Sequence, residues 1–175
     1  MASIVDKLKG TDLRSIGEAN EVASMVHSQQ AFDELFYCLS SGDRNLVMRS
    51  ADAIEKITRQ HPGFLSKHKK QLLLLCEEAL NKELKWHLAQ LLPRLTLKDY
   101  ELGFAWNLLT SWALDKKESR IVRVNAMQGL FELLPQADDL LNDYKQTLGQ
   151  MLRENLPSIN ARARKISKAL HLQLN

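Results

Sequence analysis

Five histidines, two cysteines and adjacent carboxylates such as Glu77-Glu78 and Asp138-Asp139 are the side chains from which this sequence would have to build a catalytic or metal centre. Their spacing does not converge. His27, His61, His68, His87 and His171 form neither an H-x-x-x-H nor an H-E-x-x-H arrangement, the spacings that aim two imidazoles at one ion from a single helix face. His61 and His68 are seven residues apart, but His61-Pro62-Gly63 breaks any helix between them. Cys38 and Cys76 stand at no metal or redox spacing, and both fall on apolar helical stripes, which predicts buried, reduced thiols. Consecutive carboxylates diverge by about 100° on a helix, so they do not bring two acids to one bond. Neither a glycine-rich phosphate loop nor a nucleophile elbow is present. The sequence therefore predicts no catalytic residue, no metal and no cofactor. One enzymatic alternative is centred on Trp86, His87 and Arg49, with His87 as acid or base near neutral pH.

The elements that carry these residues repeat. Ala51, Ala89, Ala126 and Ala163 are spaced 38, 37 and 37 residues apart. Four positions before each stand Val47, Lys85, Val122 and Ile159; three positions after stand Ile54, Leu92, Gly129 and Ile166. Offsets of −4, 0 and +3 share one helical stripe. A second set lies between these copies: Leu35, Leu72 and Leu109, with Leu39, Cys76 and Ala113, all at intervals of 37. The last intervening stretch has apolar residues at 137, 140, 141, 144, 148, 151 and 152, an amphipathic helix with its register shifted by a residue or two. Two helices per unit of about 37 residues predicts helix pairs stacked side by side. We call the first helix of each pair A and the second B.

Local signals agree with that division. Asp43 is placed to cap the first B helix, and His61-Pro62-Gly63 ends it. Pro135 ends the third B helix, and Pro157 suits the first turn of the fourth. Pro93 falls near the end of the second and is predicted to kink or terminate it. Gly129 costs about 1 kcal/mol of helix propensity against alanine, so its place on the inner stripe predicts the close approach of another helix. No sustained period-2 alternation is present. The fold class is all-α.

Val122-Arg123-Val124-Asn125-Ala126 matches the V-R-x-x-A core of the HEAT-repeat second helix, and Val47-Met48-Arg49-Ser50-Ala51 matches it with the arginine one place late. The chain thus resembles a HEAT or armadillo-like repeat protein. The resemblance implies a right-handed α-solenoid of about four helix-pair repeats, near 28–62, 63–97, 98–136 and 137–175, forming one domain with N-terminal cap helices in 1–27. "MRSADAIEKITRQHP", "KWHLAQLLPRL" and "ARARK" resemble a group of small bacterial and archaeal HEAT-repeat proteins, a likeness that carries no activity. Related folds include DNA alkylation-repair glycosylases, but their catalytic acid and cation-cradling aromatics find no positions here. The resemblance also implies that Arg123 is an inter-repeat hydrogen-bonding residue.

Composition sets the remaining limits. A 175-residue chain with 45% hydrophobic and 26% charged residues is ordinary for one soluble domain. The N-terminal "MASIVDKLKG" lacks the apolar stretch of a signal peptide, and "LLLLC" (72–76) is far shorter than the roughly 20 residues that span a bilayer. A cytoplasmic protein without membrane insertion is the expectation. The net charge of +3 is mild, so an electrostatic partner must be drawn by local clustering.

In right-handed helix-pair solenoids the B helices line the concave side. With the core at −4, 0 and +3, the opposite face falls at −2, +2 and +5. That set is Arg49, His87, Val124 and Ala161; Ala53, Leu91, Gln128 and Lys165; and Lys56, Arg94, Phe131 and Lys168. It holds five Lys or Arg, one His and no acid. From it we take Arg49, Lys56, His87, Leu91, Arg94, Phe131, Lys165 and Lys168 as candidate partner-binding residues, basic ends around an apolar middle. Such a face suits a partner protein or an acidic peptide with hydrophobic anchors. The alternative is nucleic acid, with phosphates on the cations and bases stacked on Phe131. The cluster Arg162, Arg164, Lys165 and Lys168 is read either as part of this surface or as the polar outer face of a terminal repeat.

Overall fold

The structure, a computed structural model, describes residues 4–8, 16–136 and 138–171. Among them are ten α-helices and no strand: α1 (Ile4–Leu8), α2 (Ile16–Met25), α3 (Gln29–Tyr37), α4 (Arg44–Gln60), α5 (Lys69–Glu78), α6 (Lys82–Leu91), α7 (Tyr100–Leu114), α8 (Arg120–Leu133), α9 (Leu141–Leu152) and α10 (Pro157–Ala169). The chain packs as two compact units, residues 1–78 and 79–175.

The helices start and stop where local chemistry directs. Asp43 Oδ1 accepts the Asn45 and Leu46 amide hydrogens at the start of α4, and Ser28 and Ser119 hydroxyls cap α3 and α8. Helix α4 stops at Gln60, before Pro62, and α10 opens on Pro157. Helix α6 ends at Leu91, and Pro93 lies in the 3₁₀ turn Leu92–Arg94 that follows, so this proline terminates the helix. Helix α8 ends at Leu133, two residues ahead of Pro135.

The predicted inner stripe is buried throughout. Ala51, Ala89, Ala126 and Ala163 have no exposed surface; Val47, Val122 and Ile159 at −4 and Ile54, Leu92, Gly129 and Ile166 at +3 are buried with them. Lys85, the polar member at −4, is half-buried, pairs with Glu118 and lies 5.6 Å from the centre of the Trp112 ring. Leu35, Leu72 and Leu109 are fully buried on the A helices, and burying each such side chain contributes about 2 kcal/mol. In α9 the inward positions are Tyr144, Leu148 and Met151; the predicted apolar position 137 lies outside the described residues. Cys38 and Cys76 are buried thiols, and burial pushes the Cys76 thiol well above its ordinary range.

Within unit 79–175, α8 packs on α6, α7, α9 and α10. A Cβ on Gly129 would stand 2.6 Å from the Ala89 carbonyl oxygen and 3.1 Å from Leu109 Cδ1. Alpha-helical backbone therefore meets helical backbone here, with no room for a methyl group. Arg123, at offset −3, is 2% exposed and ties three helices of the unit together. Its Nε donates to the Ala113 carbonyl near the end of α7 (2.9 Å), and Nη1 and Nη2 donate to the two Glu154 oxygens just after α9 (2.8 and 2.7 Å). The bidentate fork holds the Glu154 carboxyl below the usual glutamate range.

Two glycines in helix interiors give opposite expectations. Gly149→Ala in α9, where a Cβ meets nothing within 4 Å, is expected to stabilise by up to about 1 kcal/mol. Gly129→Ala gains the same propensity but must force α6 and α8 apart, at about 1–3 kcal/mol of overpacking, and is expected to destabilise in urea unfolding. Arg123→Ala is expected to cost about 2 kcal/mol at neutral pH, since a partly buried carboxylate loses its partner. Because Glu154 titrates lower when folded, its contribution is present above about pH 4.3 and lost as pH falls through the folded value. The gap between wild type and Arg123→Ala should therefore narrow on acidification, measured by urea midpoints from neutral pH downward.

Candidate partner-binding surface

The stripe expected to face outward is only partly open. Arg49 is 3% exposed, and its Nη1 donates to the Leu8 carbonyl oxygen at the end of α1 (2.7 Å). His87 is 1% exposed and stacks on Trp86 with ring centres 3.6 Å apart, while Leu91 is fully buried. These three do not stand on an open face, which corrects the reading from the helical wheel. The reason is geometric: a B helix stacked in an array has neighbours on more than its core side. Helix α4 carries α1 and α2 as well as α3, and α10 reaches α8 where Arg162 (offset −1) donates to Gln128 Oε1 (offset +2) at 3.0 Å. Offsets −1 and +2 therefore meet where α10 packs on α8. His87, the acid or base of the enzymatic alternative, is likewise enclosed.

The remaining candidates divide by unit. Lys56 in unit 1–78 is half-buried and pairs with Asp52 one turn back on α4 at 2.6 Å, so its charge is already answered. In unit 79–175, Arg94 and Phe131 are half-buried, and Lys165 and Lys168 are exposed.

What unit 79–175 does present is the outer side of α8 and α10. On α8 the open arc runs through Arg120, Ile121 (47% exposed), Val124, Asn125, Gln128, Phe131 and Glu132, one cation and one acid among uncharged side chains. Glu132 accepts a hydrogen bond from Gln128 Nε2 at 2.8 Å. On α10, Arg164, Lys165 and Lys168 are exposed, Arg162 is half-buried, and the helix contains no acidic residue. Among the described residues none of these four cations forms an ion pair. Elsewhere Lys7, Lys56, Arg59, Lys67, Lys85 and Arg123 each hold a carboxylate. Helix α10 is thus a concentrated positive edge beside the open arc of α8.

Its members are cations, amides, aliphatic carbons, the Phe131 ring and the Glu132 carboxylate. Among the described residues no group of three or more His, Cys, Asp or Glu is placed to hold a metal ion, and no helix is long and apolar enough to cross a membrane.

No curated protein and no solved structure matches the chain. The HEAT repeat domain does, over residues 6–170, nearly the whole length. Paired helices at a 37-residue interval, buried alanines in one register and an arginine clamping the third B helix give that match its structural content; the chain belongs to the HEAT repeat family.

Proposed function

We propose that this protein is a non-catalytic scaffold that takes an acidic segment of a partner protein on the outer faces of α8 and α10. HEAT repeats generally act as protein-interaction scaffolds, which supports the class of activity. The observation that carries the site is the run of four cations on α10 without a carboxylate partner, set beside the open arc of α8. An incoming segment with carboxylates and apolar anchors would gain ion pairs from Arg164, Lys165 and Lys168 and cover Ile121 and Phe131. A nucleic acid would use the same cations, but the most exposed apolar residue of the arc is the aliphatic Ile121, and Phe131 is half-buried, which leaves little ring for a base to stack on.

The test is affinity capture from native extract with the wild-type chain and with the triple variant Arg164→Glu, Lys165→Glu, Lys168→Glu, side by side. All three residues are exposed, so the helical circular dichroism should be unchanged. The variant is expected to lose partners that the wild type retains, and their bound segments should be acidic. Recovery of the same partners by both proteins would refute the α8–α10 assignment.

A further inference from the structure

Helix α7, in unit 79–175, is apolar on two sides. Its inner side buries Leu102, Trp106, Leu109 and Trp112. On its outer side Tyr100, Gly103, Phe104, Asn107 and Leu108 line an open hollow of about 370 Å³. We infer that this outer face is a homodimer interface, closed by the same face of a second copy of this chain with the two α7 helices antiparallel.

Three observations carry this. The first is composition. No residue from Leu102 to Leu114 is charged, and a helix that is hydrophobic all round is normally covered all round. The repeat supplies the comparison. At intervals of 37 residues, Phe104, Asn107, Leu108 and Ser111 correspond to Lys67, Lys70, Gln71 and Leu74 in the preceding repeat and to Gln30, Asp33, Glu34 and Tyr37 in the one before. The fold accepts charge at these positions, so it is not the fold that keeps them uncharged on α7. Tyr100 is 85% exposed, and Phe104 and Leu108 are half-buried.

The second observation is shape. Tyr100, Phe104 and Leu108, each four residues apart, form a ridge; Gly103, Asn107 and Ser111, all exposed, form the groove beside it, and a Cβ on Gly103 would meet nothing within 4 Å. Ridges of side chains four apart pack into such grooves on another helix. The face is its own complement. With Phe104 set opposite Asn107 of the second copy, Tyr100 falls opposite Ser111 and Leu108 opposite Gly103, and the two-fold axis repeats all three contacts. The third observation is charge. A charged partner would lose water from its ions against apolar carbon and gain no counter-charge, whereas a second copy brings the same uncharged strip. Beyond the strip the two ends are unlike: Lys98, Asp99 and Glu101 are one cation and two acids, and Asp115, Lys116 and Lys117 are two cations and one acid. Antiparallel pairing turns each end toward its opposite and sets the helix dipoles favourably. Six residues from each copy are fewer than the roughly 20–30 a side of a standard interface, so the dimer is a weak one that dissociates in the micromolar range.

The interface uses no residue of α8 or α10, so it stands apart from the proposed partner surface. The experiment is sedimentation equilibrium of the full chain from low micromolar to near-millimolar concentration, with urea unfolding of each variant as the check on folding. Wild type is expected to pass from monomer to dimer across that range. Gly103→Leu, whose side chain enters open space in the monomer but fills the groove, should weaken dimerisation at least about 10-fold while unfolding at the same or a higher urea concentration. Leu108→Lys, a charge that the two-fold axis brings into the interface twice, should weaken it by about 100-fold. Arg164→Glu with Lys165→Glu and Lys168→Glu should dimerise as wild type does. The inference is overturned if wild type stays monomeric throughout, if it grows beyond a dimer, or if Gly103→Leu and Leu108→Lys dimerise as tightly as wild type. A partner protein held by a monomeric wild type and lost by Gly103→Leu would assign the face to a different protein and overturn it too.

Discussion

The contact between Gly129 and the Ala89 carbonyl is the constraint on which unit 79–175 depends. At that point α6 and α8 approach until a methyl group no longer fits, and the approach is possible only because the inner stripe is built from alanine and glycine. Once two B helices are that close, their rotation about their own axes is fixed. Val122 must then point inward at −4, and Arg123 beside it faces the ends of α7 and α9. The arginine is the polar counterpart of the spine: it satisfies the Ala113 carbonyl and both Glu154 oxygens in a place too enclosed for water to do so.

Close stacking also decides where binding can occur. Each B helix gives one side to its A helix and another to each B neighbour that is present, which leaves a narrow open arc. In such an arc side chains are held by their helix and lose little freedom when a partner arrives. The charges follow the same division. Several cations are matched by a carboxylate one helical turn or one helix pair away, so they shape the fold more than the field. The four cations of α10 form no ion pair among the described residues.

The register of the array was legible because it rests on residue size at fixed offsets, and size is written directly in the sequence. Ala51, Ala89, Ala126 and Ala163 could be aligned by eye, Gly129 stood out against propensity, and Asp43, Pro93 and Pro135 marked helix ends that the structure keeps. The outer face was legible only in part. A helical wheel assigns the side opposite the core to solvent, and this holds for Lys165 and Lys168. It fails for Arg49, His87 and Leu91, because which arc a neighbour covers depends on how the helices stack, and no single helix encodes that.

The most direct measurement of the central claim is the urea-unfolding stability of four single variants, Ala51→Leu, Ala89→Leu, Ala126→Leu and Ala163→Leu, against Ala161→Leu on the exposed side of α10. If each matching alanine is packed against a neighbouring helix of its unit, each of the four loses roughly 1–3 kcal/mol to overpacking while Ala161→Leu stays within about 0.5 kcal/mol of wild type. Spine variants no less stable than Ala161→Leu would contradict the account.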